Sequence, residues 1–262
     1  MKNILQLAAA EIHLWLAFCD GNDDKGLHSA YRELLSKAER EQETRFYFAN
    51  DRRRYLLTRA LVRTVLSRYF LISPKEWAFS KNAYGRPEVV NVEANEAGVS
   101  FNISHTHGLI ILAVAKRRAL GVDIVNLQSR EASMDVAARY FAPAEVEVLS
   151  STARDRQHYR FFEYWSFKEA YVKARGMGLS VPLDKFSFYY PQDCTVEMKI
   201  DRELGDDAGR WQFWQFCPAP EYLAAVCAER VEGQSPKLIL RRTVPMLSEQ
   251  QYPLEMLRVS DL

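Results

Sequence analysis

The chain has 262 residues, 48% of them hydrophobic, and its 35 basic and 34 acidic side chains leave a net charge of +1. That length allows one large domain or two small lobes with proper cores, and the near-neutral balance excludes a global field drawing the molecule to nucleic acid or a membrane surface. No run approaches the roughly 20 apolar residues of a membrane span, and Cys19, Cys194, Cys217 and Cys227 have neither CxxC nor metal-ligand spacing, which predicts free thiols and a cytoplasmic protein.

The first ten residues combine one lysine with a short apolar run, but Glu11 and the strand-like continuation argue against a signal peptide. Residues 11–18 alternate and contain Ile12, Trp15 and Phe18, the pattern of a strand. Residues 29–43 are polar and rich in helix formers, and residues 46–70 form a long helical pattern. Its first part carries Arg45, Arg52, Arg53, Arg54 and Arg59. Such a cluster is either a solvated face or a phosphate-recognition surface, to which the planar guanidinium fork is suited. Residues 77–80 read as a short strand, and Gly85-Arg86-Pro87 then forces a rigid turn that aims Arg86 outward. Residues 99–103 are a strand whose end places Ser104 and His105 in a turn. Two β runs follow, 109–115 and 120–125, separated by the basic turn 116–118. Asp123 stands inside the second run between Val122 and Ile124, where an acid is expensive to bury unless paired or bound to a cation.

Residues 132–140 and 143–150 look like short helices, the second with Pro143 and Glu145 in its first turn. A longer helix over 155–175 is closed by Gly176 and Gly178. On a 3.6-residue period Phe162, Trp165, Glu169 and Lys173 share one face. Glu169 and Lys173 are either an exposed i,i+4 ion pair or the lining of a cleft that holds a metal and an anion. Residues 185–190, 195–200, 211–217 and 222–228 are β-type runs, and beyond Arg230 there is one short strand candidate, 238–240, and a tail. Strand–helix–strand order recurs in both halves. This predicts an α+β protein of two lobes, 1–116 and 117–230, with an extension over 231–262.

Three segments resemble the 4′-phosphopantetheinyl transferases, specifically the long, surfactin-type class: Gly85-Arg86-Pro87, the FNISH run at 101–105 with GVDI at 121–124, and WSFKEAYVK at 165–173. Tyr140-Phe141, Glu145 and the GLSVPLDKF stretch at 178–186 are also similar to that family. The resemblance implies a pseudo-twofold pair of similar α+β lobes with coenzyme A and Mg²⁺ in the cleft between them. It implies transfer of the 4′-phosphopantetheine arm to a serine of an acyl or peptidyl carrier protein, with release of adenosine 3′,5′-bisphosphate. By position, Asp123 and Glu169 match the family's metal-binding acids and Lys173 its lysine near the pyrophosphate. Arg86, Ser104 and His105 match residues that contact the cofactor's phosphates and nucleotide, and Arg54 falls where the family often has a basic residue near the cofactor. Members of this class are generally monomeric.

The chain departs from the family at Val125, where many members carry a third metal carboxylate. Mg²⁺ commonly keeps several waters and takes one or two protein carboxylates, so a two-acid site is expected. Glu169 and Glu145 are both candidates to accept the serine proton. The basic turn 116–118 and the region 45–54 are candidate docking surfaces for an acidic carrier. Two other readings compete: a non-catalytic module that binds coenzyme A or a carrier protein, which only Val125 favours, and a metal-dependent phosphohydrolase, whose usual Asp and His clusters are missing.

Overall fold

Residues Leu109–Lys116, LIILAVAK, are buried at every position but the last, and a strand of that kind needs packing on both faces. A computed structural model of the chain, describing residues 4–19, 25–231 and 235–260 and all but the side chain of Leu179, shows what those faces meet. The first three residues, part of the polar stretch after Arg230 and the last two residues of the tail lie outside the described residues.

In chain order the elements are β1 (Glu11–Phe18), α1 (Lys25–Leu34), α2 (Lys37–Thr44), α3 (Ala49–Leu66), β2 (Phe79–Lys81), β3 (Pro87–Val89), α4 (Val92–Glu96), β4 (Val99–Thr106), β5 (Leu109–Lys116) and β6 (Leu120–Asn126). There follow α5 (Met134–Tyr140), α6 (Pro143–Ser151), α7 (Arg154–Arg175), β7 (Phe186–Tyr189), β8 (Glu197–Ile200), β9 (Trp211–Phe216), β10 (Tyr222–Glu229), β11 (Lys237–Val244), β12 (Ser248–Gln251) and β13 (Met256–Val259). One sheet has the order β12-β11-β1-β5-β4 and the other β13-β9-β10-β6, with two small ribbons, β2-β3 and β7-β8.

The period-2 alternation of the strands sorts their side chains into layers. Leu14 and Leu16 of β1 and Ile111 of β5 share one apolar cluster with Val122 and Ile124 of β6 and Val226 of β10, which joins the two sheets. The intervening residues Trp15, Leu112 and Val114 turn the other way and pack with Leu57, Leu61 and Val65 of α3. On the second sheet, Phe213, Leu223 and Ala225 pack with Phe162, Phe167 and Tyr171 of α7. The expected mixed α+β class is what the chain adopts, as two sheets packed together with a long helix outside each.

Three elements differ from the sequence reading. Residues 29–43 are divided between α1 and α2, because Ser36 caps α2: its hydroxyl accepts from Glu39 N at 3.2 Å and its own N–H donates to the Glu39 carboxylate at 2.8 Å. β4 continues through Ser104 and His105, which pair with Ile111 and Ile110 of β5, so both lie in a strand rather than a turn. The C-terminal segment is woven into both sheets: β11 runs parallel to β1, β12 folds back on it, and β13 adds to β9. β12 was illegible because it is an edge strand exposed at all four positions.

In the basic turn after β5 Arg117 is exposed and Lys116 half-buried, while Arg118 is buried and donates to Ala9 O at 2.6 Å. The four cysteines are free thiols, Cys227 buried and Cys194 exposed. No helix among the described residues is long and apolar enough to cross a membrane.

Candidate active site

β4 and β6 lie side by side at the edges of different sheets. In place of a backbone ladder, alternate side chains of β4 reach across. Asn102 Oδ1 accepts from Val122 N at 3.0 Å, Thr106 Oγ1 accepts from Asn126 N at 3.0 Å, and between them Ser104 Oγ donates to Asp123 Oδ1 at 2.8 Å. An orphaned buried N–H would cost about 1–3 kcal/mol, so these polar rungs are needed where the sheets part. They fix the register of β4 against β6, and therefore the place of Asp123.

On its other side β6 meets α7 at very close range. Gly121 is the reason: a Cβ there would stand 2.0 Å from Ala170 O and 2.4 Å from Ala174 N. The missing side chain lets the helix backbone settle onto the strand, bringing one turn of α7 over Asp123. Lys173 Nζ is 2.7 Å from Asp123 Oδ1, and also donates to Ser104 Oγ at 2.8 Å and Val122 O at 3.1 Å. Glu169, one turn earlier, is half-buried. Burial and the negative charge of Asp123 push its carboxyl above the ordinary carboxylate range, against the opposing charges of Lys173 and Arg130.

Glu169 and Lys173 line a cleft of about 340 Å³ whose other walls include Tyr84, Arg86, Pro87, Ile103, Val172, Val181 and Leu183. Most of its surface is apolar, with Glu169 and Lys173 charged on the α7 wall and Arg86 on the wall formed by the 82–87 turn. The turn at 82–87 is docked against the end of α7. Asn82 Oδ1 accepts from Tyr84 N and Arg86 N, while its amide donates to Gly176 O at 3.0 Å. Arg86 donates to Lys173 O at 3.1 Å, Ala174 O at 3.3 Å and Leu120 O at 3.2 Å. It thus satisfies carbonyls at a helix C-terminus, where a cation is favoured. Gly176 closes that helix in the left-handed region, with φ 67°. Arg86 was expected at the cofactor; three of its five N–H donors are held by backbone, and the cleft receives what remains.

The other expected residues divide between the site and the scaffold. His105 is exposed and is not among the residues that line the cleft. Crowding by surrounding protein and then the charges of Arg54, Lys173 and Arg130 hold its imidazole below the ordinary histidine value, with Asp123 opposing. Arg54 is half-buried and pairs with Asp51 at 2.7 Å. Glu145, considered beside Glu169 as a proton acceptor, is brought to no such place. It is 1% exposed, pairs with Lys168 at 2.7 Å, and accepts from Ala142 N and Phe188 N at 3.0 Å each. These contacts serve the fold. Val125 is also buried, within the aromatic cluster under α7 that includes Phe141, Phe161 and Phe162.

Sequence reasoning missed Asn102 and Thr106, although polar residues at every second position of FNISHT were a usable signal for a strand facing a polar seam. It missed Arg130, which no motif marks, and the part played by Lys168. That lysine is 0% exposed and also donates to Leu183 O and Phe186 O at 2.7 Å each, tying the cleft wall to α7.

Among the described residues no group of three or more His, Cys, Asp and Glu side chains is placed to hold a metal. The oxygen donors present, two carboxylates close enough for one to raise the other's pKa and a serine hydroxyl, suit a hard dication that keeps part of its water.

Two family descriptions match the chain: "4′-phosphopantetheinyl transferase, N-terminal" over residues 24–117 and "4′-phosphopantetheinyl transferase superfamily" over residues 119–227. The chain is similar to the 4′-phosphopantetheinyl transferase HetI of Nostoc sp., 34% identical over 176 residues that cover 67% of this chain and 73% of HetI. It is also similar to the 4′-phosphopantetheinyl transferase Sfp of Bacillus subtilis, 33% identical over 198 residues covering 76% and 84%. A third relative, Gsp of Aneurinibacillus migulanus, is 31% identical over 180 residues covering 69% and 72%. With these matches spanning both the turn at 82–87 and the α7 stripe, the chain belongs to the 4′-phosphopantetheinyl transferase superfamily, as an enzyme of the Sfp-like type.

Proposed function

We propose that this enzyme takes the 4′-phosphopantetheine arm from coenzyme A and transfers it to a serine hydroxyl of an acyl or peptidyl carrier protein, with Mg²⁺, releasing adenosine 3′,5′-bisphosphate. The observation that carries this reading is the convergence of Asp123, Glu169 and Lys173 beside one largely apolar cleft. Its apolar walls suit a nucleoside, and its charged wall suits a pyrophosphate. In the reaction the serine oxygen forms a bond to the phosphorus carrying pantetheine, and the bond from that phosphorus to the bridging oxygen breaks. The developing charge lies on phosphoryl oxygens, so positioning and electrostatic stabilisation do most of the work. Asp123 and Glu169 would hold the cation, which supplies further charge neutralisation when bound. Lys173 sets its ammonium against the pyrophosphate oxygens. Glu169, with its affinity for a proton raised by burial, accepts the serine proton directly or through a water.

Arg54, His105, Ser104 and the free donors of Arg86 are the residues proposed to meet the remaining phosphates and the nucleotide. For the carrier, the start of α3 offers exposed Tyr47 and Phe48 among exposed Arg45 and Arg52, a surface with the charge and apolar area to meet an acidic protein. In this reading residues 1–116 and 117–230 are the two lobes, the protein is a cytoplasmic monomer, and residues 231–262 are an added strap. Intact mass of a carrier protein after incubation with the enzyme, coenzyme A and Mg²⁺ tests the proposal. A gain of one phosphopantetheine group is expected. An unmodified carrier, or cleavage of coenzyme A without carrier, would overturn it.

A further inference from the structure

Lys173 is tied to Asp123 more completely than a residue held only for a ligand's phosphates would need to be. Its three ammonium protons go to Asp123 Oδ1, Ser104 Oγ and Val122 O, and Ser104 donates to the same carboxylate oxygen. Asp123 is 7% exposed, and a carboxylate so buried needs a counter-charge. Among the described residues Lys173 is the only cation in ion-pair distance of it. Resting on the metal-dependent reaction proposed above, we propose that Lys173 is the internal counter-ion of the metal site: it competes with the divalent cation for Asp123 and is released into the cleft when that cation binds. One buried carboxylate cannot hold an ammonium and a dication at close range without strong repulsion between them. The lysine has somewhere to go, because its four-carbon stem is flexible, its side chain is 25% exposed and it already lines the cleft. An anionic oxygen arriving there would take the ammonium that the metal displaces. Metal and polyanion therefore favour one another's binding through a single moving charge, and by linkage the effect is reciprocal.

The test is calorimetric titration of the full chain with Mn²⁺ alone, without nucleotide or carrier, on wild type and on K173M, K173Q, K173R and D123N. The neutral variants K173M and K173Q should bind Mn²⁺ about tenfold more tightly than wild type, K173R should resemble wild type, and D123N should lose the site. Thermal melts with and without Mn²⁺ identify variants that are folded, and K173Q, which keeps a hydrogen-bonding amide, carries the comparison if K173M is not. Unchanged or weaker Mn²⁺ binding in a folded neutral variant, with D123N still abolishing it, would overturn the counter-ion role alone. Absence of binding in both wild type and neutral variants, or binding that survives D123N, would instead overturn the metal reading on which it rests.

Discussion

Gly121→Ala adds one methyl group at the point where α7 crosses β6, and its effect follows from distances. The new Cβ would lie 2.0 Å from Ala170 O, 2.4 Å from Ala174 N and 3.0 Å from Ala174 Cα. All three are backbone atoms of α7, so no side chain can rotate away. Restoring an ordinary contact of about 3.4 Å from the closest of them at 2.0 Å requires roughly 1.4 Å of separation between helix and strand. Overpacking of this kind costs about 1–3 kcal/mol, and a contact with unyielding backbone belongs at the upper end. Glu169 and Lys173 ride on the displaced turn, so the 2.7 Å contact of Lys173 with Asp123 would open to about 4 Å. A misplacement near 1 Å can cost about 100-fold in rate. Urea unfolding measures the first effect and the initial rate of carrier mass gain the second. A folded G121A with a wild-type unfolding midpoint and a rate within about threefold of wild type would refute the close-approach argument.

Three further outcomes are expected. Because burial and Asp123 raise the Glu169 carboxyl, the folded state binds a proton there more tightly than the unfolded chain. Glu169 thus contributes stability at low pH that is lost as pH rises through its elevated folded value, whereas metal-supported transfer needs the anion and rises through the same window; E169Q should melt progressively higher than wild type as pH rises in metal-free buffer, and parallel curves would sink this. Arg86→Ala should both raise the coenzyme A requirement and lower stability by about 1–3 kcal/mol, since three carbonyls lose their donor; a change in coenzyme A requirement with an unaltered urea midpoint would show that the clasp on α7 is unimportant. Val125→Glu buries a carboxylate in the cluster under α7 and should cost on the order of 3 kcal/mol that Mg²⁺ does not restore; recovery of the melting temperature on adding Mg²⁺ would mean that position 125 faces the cation.

Strand and helix periodicity made the sandwich core legible. β1 was read with the bounds it has, and the runs 109–115, 120–125 and 222–228, read as β-type, are the strands β5, β6 and β10, buried almost throughout. The α7 stripe was legible for the opposite reason: Glu169 and Lys173 interrupt an apolar face, and burial of Asp123 within β6 demanded a partner. What stayed hidden was decided by tertiary contact. Arg86 was read as aimed outward because its turn is rigid, yet the rigid turn is docked against the end of α7. Glu145 looked like a second base because its charge is visible in sequence and its burial against Lys168 is not. β13 has too few residues for periodicity to register, and it exists because β9 presents an edge to it.

The distribution of charge along α7 separates holding the helix from using it. Away from the cleft, three of its ionisable groups are matched by other elements. Glu163 meets Arg258 of β13 at 2.9 Å, Lys168 meets Glu145 at 2.7 Å, and Arg175 meets Asp206 at 2.9 Å, where Tyr171 and Trp211 also donate to the same carboxylate. Each of these contacts ties the helix to a different part of the chain, and Gly121 and Arg86 secure it against β6 and the 82–87 turn. The cleft side is left with two carboxylates and one lysine, and the lysine is spent on Asp123. Glu169 has no ion-pair partner among the described residues, and burial with Asp123 beside it pushes its carboxyl above the ordinary range, at a place the rest of the helix is braced to hold. An ionised carboxyl left half-buried in that state costs stability, and the bracing from β13, α6 and the Asp206 turn lets the fold tolerate it. In the proposed reaction an incoming cation and polyanion would release that cost on binding, and a scaffold stabilised elsewhere would make its own electrostatic strain available for phosphoryl transfer.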